Sequence, residues 1–312
     1  MISFGPIPSR RLGKSLGINN IPSLKICSYS CLYCQVGLTK KYSVELATFY
    51  EPDVIFNEVR NHLEKLAPQD KPDYLTFVAN GEPTLDINLG KSIENLKKLR
   101  IPVAVITNAS ILYMSEVRKN LQFADWVSVK IDANDEAVWK KINGPHAAVH
   151  FSDYLNGLHL FSLEYKGKLC TETMLVAGLN DSSEILQATA TLTKQVNSSV
   201  TYISIPTRPP AIKTAKAPDE QKINEAYQLF LTAGLNVELT LGFEGTNTGY
   251  TGNAWEDILN ICSVHPIRED TMQELLQKDN ADFNVVESLI DSNLIQPMEY
   301  NSTNFYLRKF NT

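Results

Sequence analysis

Cysteine is scarce in this chain: there are five in 312 residues, too few for a disulfide scaffold, and three of them fall within eight positions. There is no run of about 18 apolar residues, so a transmembrane helix and a membrane partner are not expected. The N-terminus, MISFGPIPSRRLGKS, lacks the apolar stretch of a secretory signal, which makes the cytoplasm the expected location. Internal repeats and low-complexity segments are absent too. So is a broad basic excess, since the formal net charge is −6. Proteins that grip long nucleic acids carry a broad basic face, so duplex DNA is not an expected partner. The basic residues that matter lie at one end. Residues 1–44 hold Arg10, Arg11, Lys14, Lys25, Lys40 and Lys41 and no acid, whereas residues 254–312 hold ten acids and four bases. Polyanion contact, if any, is therefore expected beside the cysteines.

What is present suits a large folded core, because 43% of the residues are hydrophobic. From about residue 15 to residue 241, β-rich runs alternate with helical patterns. The clearest strands are 74–78, 103–107, 126–130, 170–175, 201–205 and 237–241, several of them apolar on both faces as buried parallel strands are. Helical stripes fall at 52–66, 89–99, 153–163, 182–196 and 219–233, the first with Val54, Ile55, Val59, Leu63 and Leu66 on one face. This alternation predicts an α/β fold with a parallel sheet covered by helices, closed as a partial (β/α)6 TIM-like barrel. Residues 242–250, rich in Gly, Thr and Asn, read as a linker or loop. Beyond them the pattern gives three short helices (255–261, 268–278, 283–292) and two strands (294–300, 305–310), the pattern of a winged-helix-like domain. The predicted domains are 1–250, with a basic N-terminal arm, and 251–312.

The decisive string is Cys27-Ser28-Tyr29-Ser30-Cys31-Leu32-Tyr33-Cys34. Three thiolates at C-x3-C-x2-C spacing can bind three corners of one iron–sulfur cube. Neither Cys170 nor Cys262 is near in sequence to supply a fourth ligand, which leaves one iron open for a small-molecule chelate. The competing use of such thiolates, a zinc site completed by a histidine, has only His62 as its nearest candidate.

With the aromatic Tyr33 just before the last cysteine, this motif resembles the signature of the radical S-adenosylmethionine (SAM) enzymes, and the resemblance extends over about residues 4–242. It implies one [4Fe-4S] cluster on Cys27, Cys31 and Cys34 whose open iron chelates SAM. It also implies reductive cleavage of SAM to methionine and a 5'-deoxyadenosyl radical that takes hydrogen from the substrate. An electron donor such as a flavodoxin or ferredoxin is implied in turn. Asn80-Gly81-Glu82-Pro83-Thr84 follows a strand and looks like the family's Gly-Gly-Glu turn, with Asn80 replacing the first glycine. By position at strand ends, the resemblance gives SAM contacts to Gly81, Glu82, Asn108, Lys130 and Asp132, and to Val176 and Gly178 in the adenine-contacting segment. Barrel enzymes place their sites at such strand ends.

The N-terminal strings Phe4-Gly-Pro-Ile-Pro-Ser-Arg-Arg-Leu-Gly13 and Ser15-Leu-Gly-Ile-Asn19 look like a subgroup related to the wyosine-forming tRNA enzymes. Arg10 and Arg11 either bind a phosphate or carboxylate by forked hydrogen bonds or belong to a surface arm tethered by prolines. Arg208 follows the strand at 201–205, where it would orient an anionic substrate. His146 is a loop residue that could act as acid or base. Glu172 faces either the barrel lumen or a rim salt bridge. A second cysteine cluster and a cobalamin-type segment are missing, which disfavours auxiliary clusters and cobalamin methyl transfer. The leading expectation is a radical SAM enzyme acting on a peptide, protein or other macromolecule. A tRNA-modifying enzyme is the alternative, and a non-catalytic winged-helix regulator that senses iron or redox is the alternative of another class.

Overall fold

The chain opens on a hairpin rather than an arm. In the computed structural model, which describes residues 2–22 and 24–309, β1 (Ser3–Ser9) pairs antiparallel with β2 (Gly13–Ile18). Both prolines of the expected arm lie in β1, where an edge strand tolerates them because no further neighbour needs the missing N–H. Arg10 and Arg11 sit in the hairpin turn, so the expected basic N-terminal arm is a paired strand and its turn.

After β2 come two short paired strands, β3 (Ile26–Cys27) and β4 (Lys41–Tyr42), which bracket the cysteine loop. The alternating part then runs α1 (Pro52–Lys65), β5 (Tyr74–Phe77), α2 (Leu89–Lys97), β6 (Val103–Thr107), α3 (Ser115–Leu121) and β7 (Trp126–Lys130). It continues with α4 (Glu136–Asn143), α5 (Phe151–Glu164), β8 (Lys168–Met174), α6 (Ser183–Gln195), β9 (Val200–Ser204), α7 (Glu220–Thr232) and β10 (Val237–Thr240). The main sheet has the order β1-β2-β5-β6-β7-β8-β9-β10, with every pair parallel except β1–β2. This is the predicted partial α/β barrel, in which the six strands expected from the sequence are β5–β10 and the N-terminal hairpin adds β2 and β1 at one edge.

Local chemistry explains the boundaries. Pro52 opens α1, where its missing N–H costs nothing. The side chains of Asp135, Ser182 and Asp219 accept hydrogen bonds from Val138, Ile185 and Lys222 N–H and so cap α4, α6 and α7. Gly144, at φ +50°, ends α4 in the left-handed region. The fully buried faces of α1 (Ile55, Val59) and α2 (Ile93, Leu96) join Leu75, Phe77 and Val105 of the sheet in the largest apolar cluster.

The C-terminal part follows the order α8 (Ala254–Val264), β11 (Ile267–Arg268), α9 (Glu269–Lys278), α10 (Asn284–Asp291), β12 (Ile295–Tyr300) and β13 (Thr303–Arg308). Its strands form an antiparallel sheet, β11-β13-β12. The expected last strand reached Phe310, which lies outside the described residues. This part is not an appendage. Phe4 and Ile7 of β1 share one buried cluster with Ile258, Ile261 and Met272. The segment expected to be a linker runs against β1, where Gly249 N–H donates to Pro6 C=O at 2.6 Å. Among the described residues no helix is long and apolar enough to cross a membrane.

Candidate active site

The cysteine loop is held from two sides. On one side, Gly81 approaches β3 so closely that a Cβ there would lie 1.8 Å from Ile26 O. Glu82 N–H donates to that same carbonyl at 3.1 Å. On the other side, the end of α4 receives the loop: Ser30 N–H donates to Asn143 C=O at 2.9 Å and Leu32 N–H to Ile142 C=O at 2.9 Å. Tyr29 is buried and its hydroxyl accepts from Trp139 Nε1 at 3.1 Å.

Polar groups then reach the sulfurs. Asn108 Nδ2 donates to Cys27 Sγ at 3.5 Å and to Ser28 Oγ at 3.0 Å. Asn143 Nδ2 lies 3.5 Å from Cys31 Sγ. Lys25, almost wholly buried, donates to Cys34 Sγ at 3.1 Å and to Gly37 C=O at 2.5 Å. Burial pushes the Cys27 thiol well above its usual range and the Cys31 thiol up to about 11. Both are therefore neutral thiols at pH 7 until a metal displaces their protons.

Two carboxylates that resemble cofactor contacts are spent on the protein itself. Glu82 is buried and accepts from Thr84 N–H (3.1 Å), Thr84 Oγ1 (2.6 Å), Thr107 Oγ1 (2.6 Å) and Asn108 N–H (2.8 Å). Its side chain thereby ties the turn after β5 to the end of β6. Burial still raises its pKa against those four bonds. Asp132 is buried behind Tyr33, accepting from Tyr33 Oη (2.5 Å), Asn143 Nδ2 (2.7 Å) and Met174 N–H (2.8 Å). It fixes the aromatic ring that precedes Cys34.

One cavity of about 330 Å³ joins the cysteine loop to the hairpin turn. All three cysteines line it. So do Gly81, Glu82, Asn108 and Lys130, and, from the expected substrate set, Arg10, Arg11, Glu172 and Arg208. Asp132, Val176, Gly178 and His146 stand off its wall. Val176 packs in a buried cluster with Tyr33, Ile142 and Ala215. Gly178 is exposed at φ +70° with nothing within 4 Å of a built Cβ. His146 braces the cysteine loop instead, donating its N–H to Ser28 C=O at 2.7 Å.

The arginine end of the cavity is ordered by two buried acids. Glu172 sits between Arg11, which donates to Oε2, and Lys130, whose Nζ is 3.1 Å from Oε1. Although burial opposes its charge, these two cations hold its carboxyl well below the usual range. The Lys130 ammonium also lies 5.2 Å from the Tyr33 ring centre. Glu244, from the segment expected to be a linker, pairs with Arg208 and lies 3.2 Å from His265 Nε2. Burial, with Arg208 and Arg10 nearby, drives His265 far below its normal pKa, so it is neutral. Arg10 spans the open side of the barrel, donating to Thr240 C=O and, at 2.7 Å, to Gly242 C=O. Sequence reasoning missed Lys25, Glu244 and His265. The traces were Lys25 in the acid-free basic stretch beside the cysteines and Glu244 as a lone acid in a Gly/Thr/Asn-rich stretch.

A partial barrel of parallel strands with a three-cysteine loop beside a deep cavity defines an enzyme of cluster chemistry. The family model described as Radical SAM superfamily matches residues 21–192, and the chain belongs to that superfamily. It is 42% identical over 309 residues to the UPF0026 protein MJ1312 of Methanocaldococcus jannaschii, covering 98% of this chain and 96% of that one. A UPF0026 protein of Helicobacter pylori is 30% identical over 307 residues, covering 98% of this chain and 97% of that one. Among solved structures, Streptococcus suis SuiB bound to S-adenosylmethionine superposes with a TM-score of 0.53 at 13% identity, over 72% of this chain and 49% of SuiB. This chain therefore spans about half of SuiB, and the likeness is one of fold.

Membership implies SAM and a [4Fe-4S] cluster, and the residues present fit both. Three thiols on one loop, with amide and ammonium donors aimed at their sulfurs, make a cluster-type donor set. Gly81, with no Cβ, keeps its backbone against the cysteine strand and on the cavity wall.

Proposed function

We propose that the protein is a radical SAM enzyme in which Cys27, Cys31 and Cys34 hold the cluster and the arginine-lined end of the same cavity holds the substrate. The observation that carries this reading is the single cavity shared by the three thiols and the Arg10–Arg11 turn. Cys27, Cys31 and Cys34 would hold the cluster, and the bound cluster and SAM would supply one-electron reductive cleavage of SAM, with the electron from a flavodoxin- or ferredoxin-type donor, and hydrogen abstraction from the substrate.

The chain's own residues orient and shield. Asn108 and Asn143 steady the thiolates by hydrogen bonds, and Lys25 offsets the negative charge beside Cys34. Gly81, Glu82, Asn108 and Lys130 border the volume for SAM, the first two through their backbone. Asp132 and Val176 act through Tyr33, which they hold in place. Gly178 belongs to the segment that would cover the adenine. Residues 251–309, with three helices and three strands in the order described, are read as a winged-helix-like domain. Its Val264 and His265 form one wall of the cavity. A peptide, protein or other macromolecular substrate would therefore present a single group into the cavity, because the arginines lie inside it.

The test is anaerobic reconstitution followed by dithionite reduction with SAM. The expected result is 5'-deoxyadenosine and methionine from the wild type and neither from Cys31→Ala. A fully loaded wild type that leaves SAM intact would sink the reading.

A further inference from the structure

Two charge arrangements at the substrate end of the cavity share one design. In the first, Glu172 is held between Arg11 and Lys130. In the second, Glu244 is held between Arg208 and Arg10, the latter at 3.9 Å. Each is one carboxylate between two cations, so each leaves one positive charge without a partner carboxylate. Both are anchored on the same hairpin turn, because Arg10 and Arg11 are neighbours in sequence.

These charges are largely desolvated yet still reach the cavity. The side chains of Arg11, Lys130 and Arg208 are 20%, 16% and 12% exposed, and all three border the cavity. A positive charge held this far from water is attracted strongly to an incoming anion and pays little further desolvation. The cofactors supply one negative charge and no dianion. A [4Fe-4S]2+ cluster on three thiolates carries −1, and in SAM chelated through its neutral amine and its carboxylate the sulfonium offsets the carboxylate; with Lys130 facing SAM, Arg10, Arg11 and Arg208 still exceed Glu172 and Glu244 by one charge.

Resting on the radical SAM reading above, we infer that the substrate group entering the cavity is doubly negative, a phosphate monoester or a dicarboxylate, clamped between the Arg11–Glu172–Lys130 and Arg10–Glu244–Arg208 triads. The guanidinium fork suits either group. A polymer backbone is the poorer fit, because the cations lie in a cavity while the chain as a whole carries net charge −6.

The experiment titrates the reconstituted holoenzyme with SAM, anaerobically at pH 8, with inorganic phosphate and with succinate. Chloride and acetate at matched ionic strength are the controls, and binding is read by calorimetry. Saturable binding of phosphate or succinate, and of neither control, is expected, and the tighter of the two names the head group. Arg11→Gln should weaken it about tenfold or more, the worth of one charge-assisted hydrogen bond. Arg208→Gln should do the same, should the first variant fold poorly. Glu172→Gln keeps the side-chain shape but frees a second positive charge, so it should tighten binding several-fold. A merely structural role for the triad would weaken binding in all three variants, which would overturn the inference. So would no saturable binding of either dianion, or salt-sensitive capture of RNA without any response to phosphate or succinate. Cleavage of SAM by the same wild-type preparation is scored separately. Its failure would count against the radical SAM reading, whereas failed dianion binding with intact cleavage counts against this inference alone.

Discussion

Gly81 does its work by having no side chain. Its φ of +138° lies where L side chains are rarely found, and a Cβ would stand 1.8 Å from the carbonyl oxygen of Ile26. Neither conflict can be relieved by a rotamer change, because the obstructing atom is backbone. Gly81→Ala must push β3 away, and β3 ends in Cys27. The expected result is a loss of stability of about 2–3 kcal/mol, with iron content after reconstitution falling in parallel. Chemical denaturation and iron analysis read the two effects. A variant that loads iron normally would show that the approach of Gly81 to Ile26 does not hold the cysteine strand in place.

At the scale of the element, α4 matters more than its length suggests. It has eight residues, and its carbonyls at Ile142 and Asn143 receive the cysteine loop. Trp139 fixes the helix, buried between Tyr29, whose hydroxyl it meets, and the ring of Tyr154, stacked at 5.7 Å. Trp139→Phe keeps most of the apolar contact and loses one buried hydrogen bond, so unfolding should become easier by about 1–2 kcal/mol. Trp139→Ala should cost about 3–5 kcal/mol and lower cluster occupancy as well. Equal effects of the two variants on iron content would show that α4 does not position the loop. This helix also marks where sequence reading ends. The strands 74–78, 103–107 and 126–130 were legible because burial on both faces leaves runs of apolar residues interrupted only by Thr76 and Ser128 before the polar ends Thr107 and Lys130. The stripe of α1 was legible because only one of its faces is covered. In α4 four apolar residues among eight, three of them consecutive (Ala137, Val138 and Trp139) with Ile142, show too little of a period to distinguish it from a loop. The cysteine motif was legible because its ligands are local. Glu244 and His265 were not, because their partner Arg208 is a tertiary one. Strand-end position placed Asp132 near the site but could not say that it points behind Tyr33 rather than into the cavity.

At the scale of the molecule, the question is whether residues 251–309 can open independently of the barrel. The packing argues against it. Phe4 and Ile7 belong to the main sheet, yet their buried side chains complete the core around Ile258 and Ile261, and burying such a side chain is worth about 1.5–3 kcal/mol. Gln35, next to Cys34, donates to Val264 C=O at 2.9 Å, and Tyr300 Oη donates to Pro206 C=O at 3.1 Å. Separating the two parts would break all of these at once, so one cooperative transition is expected. Asp257 provides a handle on this coupling. It is buried in the first turn of α8, accepts from Thr251 N–H at 2.6 Å, and is raised to about 6 by burial, with Asp279 and Glu256 adding repulsion. The unfolded carboxyl titrates near 4. Between those values the native state binds a proton that the unfolded state lacks, so this group adds stability at low pH and loses it as pH rises through about 6. From pH 7 to pH 5 the wild type should therefore gain about 1 kcal/mol relative to Asp257→Asn, which has nothing to titrate there. If the two parts unfold together, that gain shifts the single transition of the whole chain, followed both by circular dichroism of the barrel helices and by the part of the tryptophan fluorescence that Trp255→Phe removes, which reports α8. Two transitions, with only the fluorescence change responding to pH, would mean that the C-terminal part opens alone and that the cavity wall at His265 swings independently of the cysteines.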